Sequence, residues 1–135
     1  MPPAAMESTS GASELRRIGQ IAILVQDVER AVRFYRDTLG ITLLFQADPG
    51  LAFFDCGGVR LMLSRPEGDG NGAGTSILYY TVDDIQQAHT TLAERGVHFV
   101  APPHRVAQLA DHDLWMAFCR DSEENLLALM SEVRR

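Results

Sequence analysis

The stretch Ile77-Leu78-Tyr79-Tyr80-Thr81-Val82-Asp83-Asp84-Ile85, running on to Leu92-Ala93-Glu94-Arg95-Gly96, decides the fold because it repeats a pattern met once before in the chain. A short run of β-branched and aromatic residues gives way to an aspartate, then to apolar residues at helical spacing, then to glycine. That order predicts a strand followed by a capped helix. The earlier copy is Ile18-Gly19-Gln20-Ile21-Ala22-Ile23-Leu24-Val25, followed by Asp27, by Val28, Ala31, Val32, Phe34, Tyr35 and Leu39 at helical spacing, and by Gly40. Aspartate suits the helix start because its carboxylate accepts from first-turn N–H groups that have no partner within the helix. Glycine suits the end because it adopts the left-handed conformation of a C-terminal cap without steric cost. Arg30 stands at the third helical position, where a capping box would place Glu or Gln.

Working outward, three more strand-like runs follow each copy. After the first come Ile41 to Gln46, Leu51 to Cys56 and Val59 to Ser64, separated by Asp48-Pro49-Gly50 and by Gly57-Gly58. After the second come Val97 to Ala101, Asp113 to Arg120 and Asn125 to Met130, the last two joined by the polar turn Asp121-Ser122-Glu123-Glu124. The expected fold class is α+β, with two tandem βαβββ modules forming curved sheets around a shared cleft and helices on the outer faces. Module 1 covers about 17–65 and module 2 about 76–132. Residues 1–16, rich in Pro, Ala, Ser and Gly, read as a disordered leader, and 66–75 as a Gly-rich linker. That linker is not a phosphate loop, which needs a preceding strand, a following helix N-terminus and usually a Lys-Ser/Thr pair.

With 135 residues, 46% of them hydrophobic, the chain is long enough for one real core. A net charge of −6 without a basic stripe argues against a nucleic-acid partner. No apolar run reaches bilayer-spanning length and the N-terminus lacks a secretory pattern, so no membrane partner is expected and the cytoplasm is the expected compartment. Cys56 and Cys119 have no CxxC spacing and lie in apolar runs, which suits buried free thiols.

Three phrases resemble the vicinal oxygen chelate superfamily, which includes glyoxalase I, methylmalonyl-CoA epimerase, extradiol dioxygenases, and the fosfomycin- and bleomycin-resistance proteins. They are Val25-Gln26-Asp27-Val28 leading to Phe34-Tyr35-Arg36-Asp37-Thr38-Leu39-Gly40, Val82-Asp83-Asp84-Ile85 leading to Leu92-Ala93-Glu94-Arg95-Gly96-Val97, and Arg120-Asp121-Ser122-Glu123-Glu124-Asn125-Leu126-Leu127-Ala128-Leu129. The last is similar to the family's Asp-Pro-x-Gly-Asn turn, with Ser122 and Glu124 in place of Pro and Gly. The resemblance spans about Ile18 to Met130 and is specific for fold rather than for activity.

In metal-dependent members of that family, His or Glu side chains on the first and last strand of each module hold a divalent cation. Carried over by spacing from Asp27 and Asp84, these positions fall on Gln20 and Ile77 and on Met62 and Ala128. Three of the four offer no hard donor, and one amide oxygen does not hold a metal alone. The resemblance therefore implies a member without the usual metal site, and no cofactor. Strand alternation turns Gln20, Ala22 and Leu24 away from the helix, and Met62 likewise.

The expected ligand-binding residues are Gln20, Leu24, Arg60, Met62, Tyr79, Trp115, Ala128 and Met130, with Thr81 beside them. Together they describe an apolar pocket with a few polar groups, as ligand sites commonly are, although core packing also accounts for many of them. Arg60, two residues before Met62, either meets an anionic group at the cleft mouth or is an exposed strand-end arginine. His104 and His112 bracket a polar segment. Each is a candidate acid/base, with Asp111 and Asp113 flanking His112, or else part of a solvated loop. His89 and His98 read as structural or exposed. Three functions follow: a metal-independent protein holding an aromatic or amphipathic small organic ligand, as in the bleomycin-resistance branch; a glyoxalase-like lyase or isomerase acting next to a carbonyl through His104 or His112 with Gln20; or a dimeric partner with a vestigial cleft. The resemblance also implies a homodimer.

Overall fold

A computed structural model describes residues 17–47, 50–66 and 76–134. The expected leader at 1–16, Asp48-Pro49 of the first turn and nearly all of the expected linker lie outside the described residues.

Module 1 consists of β1 (Gln20–Leu24), α1 (Val28–Arg33), β2 (Thr42–Ala47), β3 (Leu51–Cys56) and β4 (Val59–Ser64), and module 2 of β5 (Leu78–Thr81), α2 (Ile85–Glu94), β6 (Phe99–Gln108), β7 (His112–Arg120) and β8 (Leu126–Arg134). The sheets are ordered β1-β4-β3-β2 and β5-β8-β7-β6, so both modules have one topology. In each, first and last strands pair in parallel, Ala22 with Met62 and Tyr79 with Ala128. The remaining pairs are antiparallel. The repeat seen in the sequence is therefore a repeat of structure.

The two caps form as their aspartates require. Asp27 accepts from the Arg30 N–H and Asp84 from the Gln87 N–H, each at 3.0 Å. Gly40 and Gly96 close the helical segments at φ +79° and +91°. The first segment departs from the expected uninterrupted helix: α1 is six residues long and continues as a π-helical turn over Phe34–Thr38, where the Leu39 N–H reaches back to the Phe34 carbonyl. Such a turn carries one residue more per hydrogen bond than an α-helix. It sets Tyr35 fully into the core, at 1% exposure.

One sheet face of each module packs on its helix. In module 1 that face contributes Ala52, Phe54, Leu61 and Leu63 beneath Val28, Ala31, Val32 and Tyr35. In module 2, Ala117, Cys119, Leu127 and Leu129 lie beneath Ile85 and Leu92. Each fully buried large apolar side chain contributes about 1.5–3 kcal/mol relative to exposure. Phe34, Leu39 and Tyr80 pack into both cores and join the modules. The other face of each sheet, here the open face, carries the alternate residues.

Two strands run further than the sequence suggests. β6 continues past Ala101 through Pro102, Pro103 and His104, and β8 continues past Met130 to Arg134. Proline is tolerated in β6 because it is the edge strand of its sheet, and its pairing with β7 shifts register three times. The segment expected as a possible solvated loop is thus largely strand. Both cysteines are free, Cys119 buried and Cys56 half-buried. Burial, and then the Asp121 carboxylate, pushes the Cys119 thiol up to about 11. No helix among the described residues is long and apolar enough to cross a membrane.

Candidate functional site

Strand alternation places Gln20, Ala22 and Leu24 of β1, Arg60 and Met62 of β4, Phe53 and Asp55 of β3 and Phe45 of β2 on the open face of module 1. Gln20 and Arg60 are direct register partners, and the Arg60 Nε–H donates to Gln20 Oε1 at 2.9 Å. The Gln20 amide nitrogen in turn points at the Met62 sulfur, 3.8 Å away. Beneath the guanidinium lies the Phe53 ring, with Arg60 Cζ 5.5 Å from its centroid. Phe45 stacks on Phe53 at 4.6 Å with the planes 25° apart, and it remains 48% exposed. A cation so placed over an aromatic face gains about 0.5–1 kcal/mol at an exposed site.

On the open face of module 2, Tyr79 and Phe118 flank Ala128 in register and their rings meet edge to face at 6.0 Å. Ala128 is covered completely, at 0% exposure, so Tyr79 and Phe118 present the surface there. Met130 pairs with Met116 further along the same two strands. Trp115 does not join them. It packs into the helix-side core with Ala88 and Phe99, because it shares the parity of Ala117 and Cys119 rather than that of Met116 and Phe118. Phe45, Phe53 and Phe118 escape the sequence reading because the face each occupies is fixed only by the register of β2 with β3, of β3 with β4 and of β7 with β8.

The four positions implied for metal are thus Gln20, with its oxygen already bonded to a guanidinium, Met62, the half-exposed Ile77 and the fully covered Ala128. This donor set does not fit a divalent cation, and the adjacent guanidinium opposes one electrostatically. Among the described residues no group of three or more His, Cys, Asp or Glu is placed to hold a metal ion.

The candidate histidines sit in different surroundings. His104 pairs with Met116 in register, and its ring lies over Phe118 at 6.4 Å, which brings it to the open face of module 2. Its Nδ1 is 2.8 Å from the Pro102 carbonyl, which only accepts, so Nδ1 carries a hydrogen. His112 belongs to a surface cluster where β7 begins and β8 ends: its Nδ1 meets Asp111 at 2.7 Å, its Nε2 stands 3.9 Å from Glu132, and Arg134 bonds Asp111 at 2.6 Å. The His112 and Arg134 contacts hold the Asp111 carboxyl down to about 2. Asp113 points elsewhere, toward Arg105 at 3.7 Å, so the two aspartates do not converge on one imidazole. His89 packs edge-on against Phe99 at 4.5 Å, and His98 is exposed before β6.

A crevice of about 670 Å3 separates the modules, lined by Ala22 and Leu24 from β1 and by Ile77, Arg120, Asn125 and Leu126 from module 2. Of the expected ligand-binding residues it takes in Leu24. Gln20, Arg60 and Met62 form one group, and Tyr79, Ala128 and Met130 another. The junction beneath is polar and well connected. Glu123 accepts from the Gln26 and Asp27 N–H groups at 2.8 and 2.7 Å and from Arg30 at 3.2 Å. Asn125 donates to the Leu24 carbonyl at 3.4 Å.

Comparison with known proteins agrees with this architecture. The chain is 27% identical over 126 residues to the uncharacterized protein YraH of Bacillus subtilis (strain 168), an alignment covering 82% of this chain and 94% of that one. A member of the glyoxalase/bleomycin resistance protein/dioxygenase superfamily from Sphaerobacter thermophilus DSM 20745 superposes with a TM-score of 0.75 at 26% identity, over 87% of this chain and 98% of that one. A lactoylglutathione lyase from Agrobacterium tumefaciens shares the fold, with a TM-score of 0.71 at 23% identity over 85% and 92% of the two chains. Residues 17–129 match the family model itself. The chain belongs to the Glyoxalase/Bleomycin resistance protein/Dioxygenase superfamily.

Proposed function

We propose that this protein is a metal-independent small-molecule-binding member of its superfamily, holding an aromatic or amphipathic ligand on its open sheet faces. One observation carries the reading: where the family resemblance locates the first metal donor, Gln20 presents an amide whose oxygen already accepts from Arg60. Around it stand Met62, Phe53 and Phe45, surfaces suited to flat organic groups. The test is a thermal-shift screen of small aromatic compounds run with a chelator and repeated with Ni, Zn, Mn and Fe. A ligand at a hundred times its Kd stabilises by about 2.7 kcal/mol. Hits that stabilise equally in both conditions support the proposal, and hits that appear only with metal contradict it.

A second reading, proton transfer next to a carbonyl, is favoured by His104. Its Nδ1 is engaged by the Pro102 carbonyl, and its ring lies on the open face of module 2 beside Phe118, which in turn meets Tyr79. A positioned base of this kind contributes about 10²–10⁴-fold to a rate. The expected pairing of two copies is also a proposal; half-exposed Leu44, Val100 and Val106 support it, and sedimentation at rising concentration tests it.

A further inference from the structure

We propose that the ligand of module 1 is a planar aromatic carboxylate, its ring system lying against Phe45 and Phe53 and its carboxylate meeting the terminal nitrogens of Arg60. The inference rests on the small-molecule-binding reading and narrows it to a charge class.

Three observations lead here. First, Arg60 is held in place at both ends of its head group: Gln20 Oε1 takes the Nε–H at 2.9 Å, and Phe53 supports the guanidinium plane at 5.5 Å. Fixing Nε leaves the two Nη groups, which form a planar donor fork matching the spacing of carboxylate oxygens. Because the side chain is already ordered, little rotamer freedom is lost when it binds an anion. Second, no described carboxylate forms an ion pair with Arg60, although Asp55 is its register partner across β3 and β4. A positive charge on an aromatic surface, with no ion-pair partner among the described residues, is complementary to an anion. Third, Phe45 lies beyond Phe53 at 4.6 Å and is 48% exposed. An exposed aromatic surface and a positive charge therefore share one sheet face, with Phe53 between them, a combination that a ring bearing an acid group satisfies.

The amide and the guanidinium also select against other charges. A neutral aromatic gains the ring contact and leaves the fork solvated. A cationic aromatic places like charges together.

Isothermal titration of the full chain with 2-naphthoate, 2-naphthamide and 2-naphthylmethylammonium at low salt tests the proposal. Naphthoate should bind about tenfold or more tightly than naphthamide, with the ammonium weakest, and added salt should narrow the gap. Arg60→Gln should reduce the naphthoate/naphthamide ratio to about one while naphthamide still binds, which serves as the control for folding. Phe45→Ala should weaken both by about three- to tenfold without changing their ratio. Equal binding of all three probes, or preference for the ammonium, overturns the carboxylate assignment and leaves the apolar reading standing. Failure of all three overturns both. If a second copy of the chain covers the face, the probes also fail, and sedimentation shows a dimer that Phe45→Glu dissociates.

Discussion

The Tyr35 hydroxyl donates a 2.7 Å hydrogen bond to Asp121 Oδ2, joining the π-helical turn of one module to the β7–β8 turn of the other. Both groups are buried, at 1% and 4% exposure. Burial, and then the Asp121 carboxylate, pushes the phenol far above its ordinary value, which keeps it the protonated donor of this pair at neutral pH. Asp121 also accepts from the Glu123 and Asn125 N–H groups and from the Asn125 amide. Four donors on one carboxylate hold the turn in a single shape and attach it to its neighbour.

Tyr35→Phe removes one donor from that buried carboxylate and keeps the ring packing. Hydrogen bonds to charged groups contribute about 1.5–3 kcal/mol, so the variant should lose about that much in urea unfolding. A loss below about 0.5 kcal/mol would show that the remaining three donors suffice.

Glu124 occupies the left-handed region at φ 69°, where the related family turn places glycine. A side chain there costs about 1–2 kcal/mol, partly offset by the greater freedom of glycine in the unfolded chain. Glu124→Gly should therefore stabilise the protein by about 0.5–1 kcal/mol. The Arg120 bond to the residue-124 carbonyl, at 3.2 Å, involves backbone and survives the change. Destabilisation in thermal unfolding would contradict this account.

Glu123 links acid sensitivity to the module junction. Desolvation raises its pKa, but the Gln26 and Asp27 N–H groups and Arg30 outweigh that effect, and the net shift is downward. A depressed folded-state value means that its contribution to stability is complete above the unfolded glutamate value of about 4.3 and disappears as pH falls through the folded value. Wild type should lose stability across that interval, and Glu123→Gln should be less stable at neutral pH with a flatter acid profile. Parallel pH curves for the two proteins would rule this out.

The histidines should separate kinetically if the protein catalyses proton transfer. His104→Ala should abolish turnover on a processed substrate, whereas His112→Ala, in the surface cluster with Asp111 and Glu132, should leave it near wild type. Equal effects would remove His104 from that role.

The repeat, both caps and most strands were legible in the sequence because each rests on local chemistry: Asp27 and Asp84 at helix starts, Gly40 and Gly96 at φ above zero, and Gly57 and Gly58, at φ 60° and 90°, turning β3 into β4. Gln20, Arg60 and Met62 were correctly placed on one face by alternation from Ile21 and Ile23. Trp115 was misplaced because strand β7 is apolar on both faces, so hydrophobicity carried no parity signal there. The extension of β6 through Pro102-Pro103 was hidden because only the edge position makes prolines acceptable. The Gln20–Arg60 bond depends on the parallel register of β1 with β4, a long-range pairing that no local pattern encodes.

Metal content of the purified protein, measured by plasma mass spectrometry after equilibrium dialysis against Zn, Ni, Mn or Fe, bears most directly on the claim that an amide–guanidinium pair stands where the family resemblance implies a metal donor. The account predicts far less than one ion per chain and no rise in unfolding temperature. One tightly bound ion per chain, lost in Gln20→Ala, would contradict it.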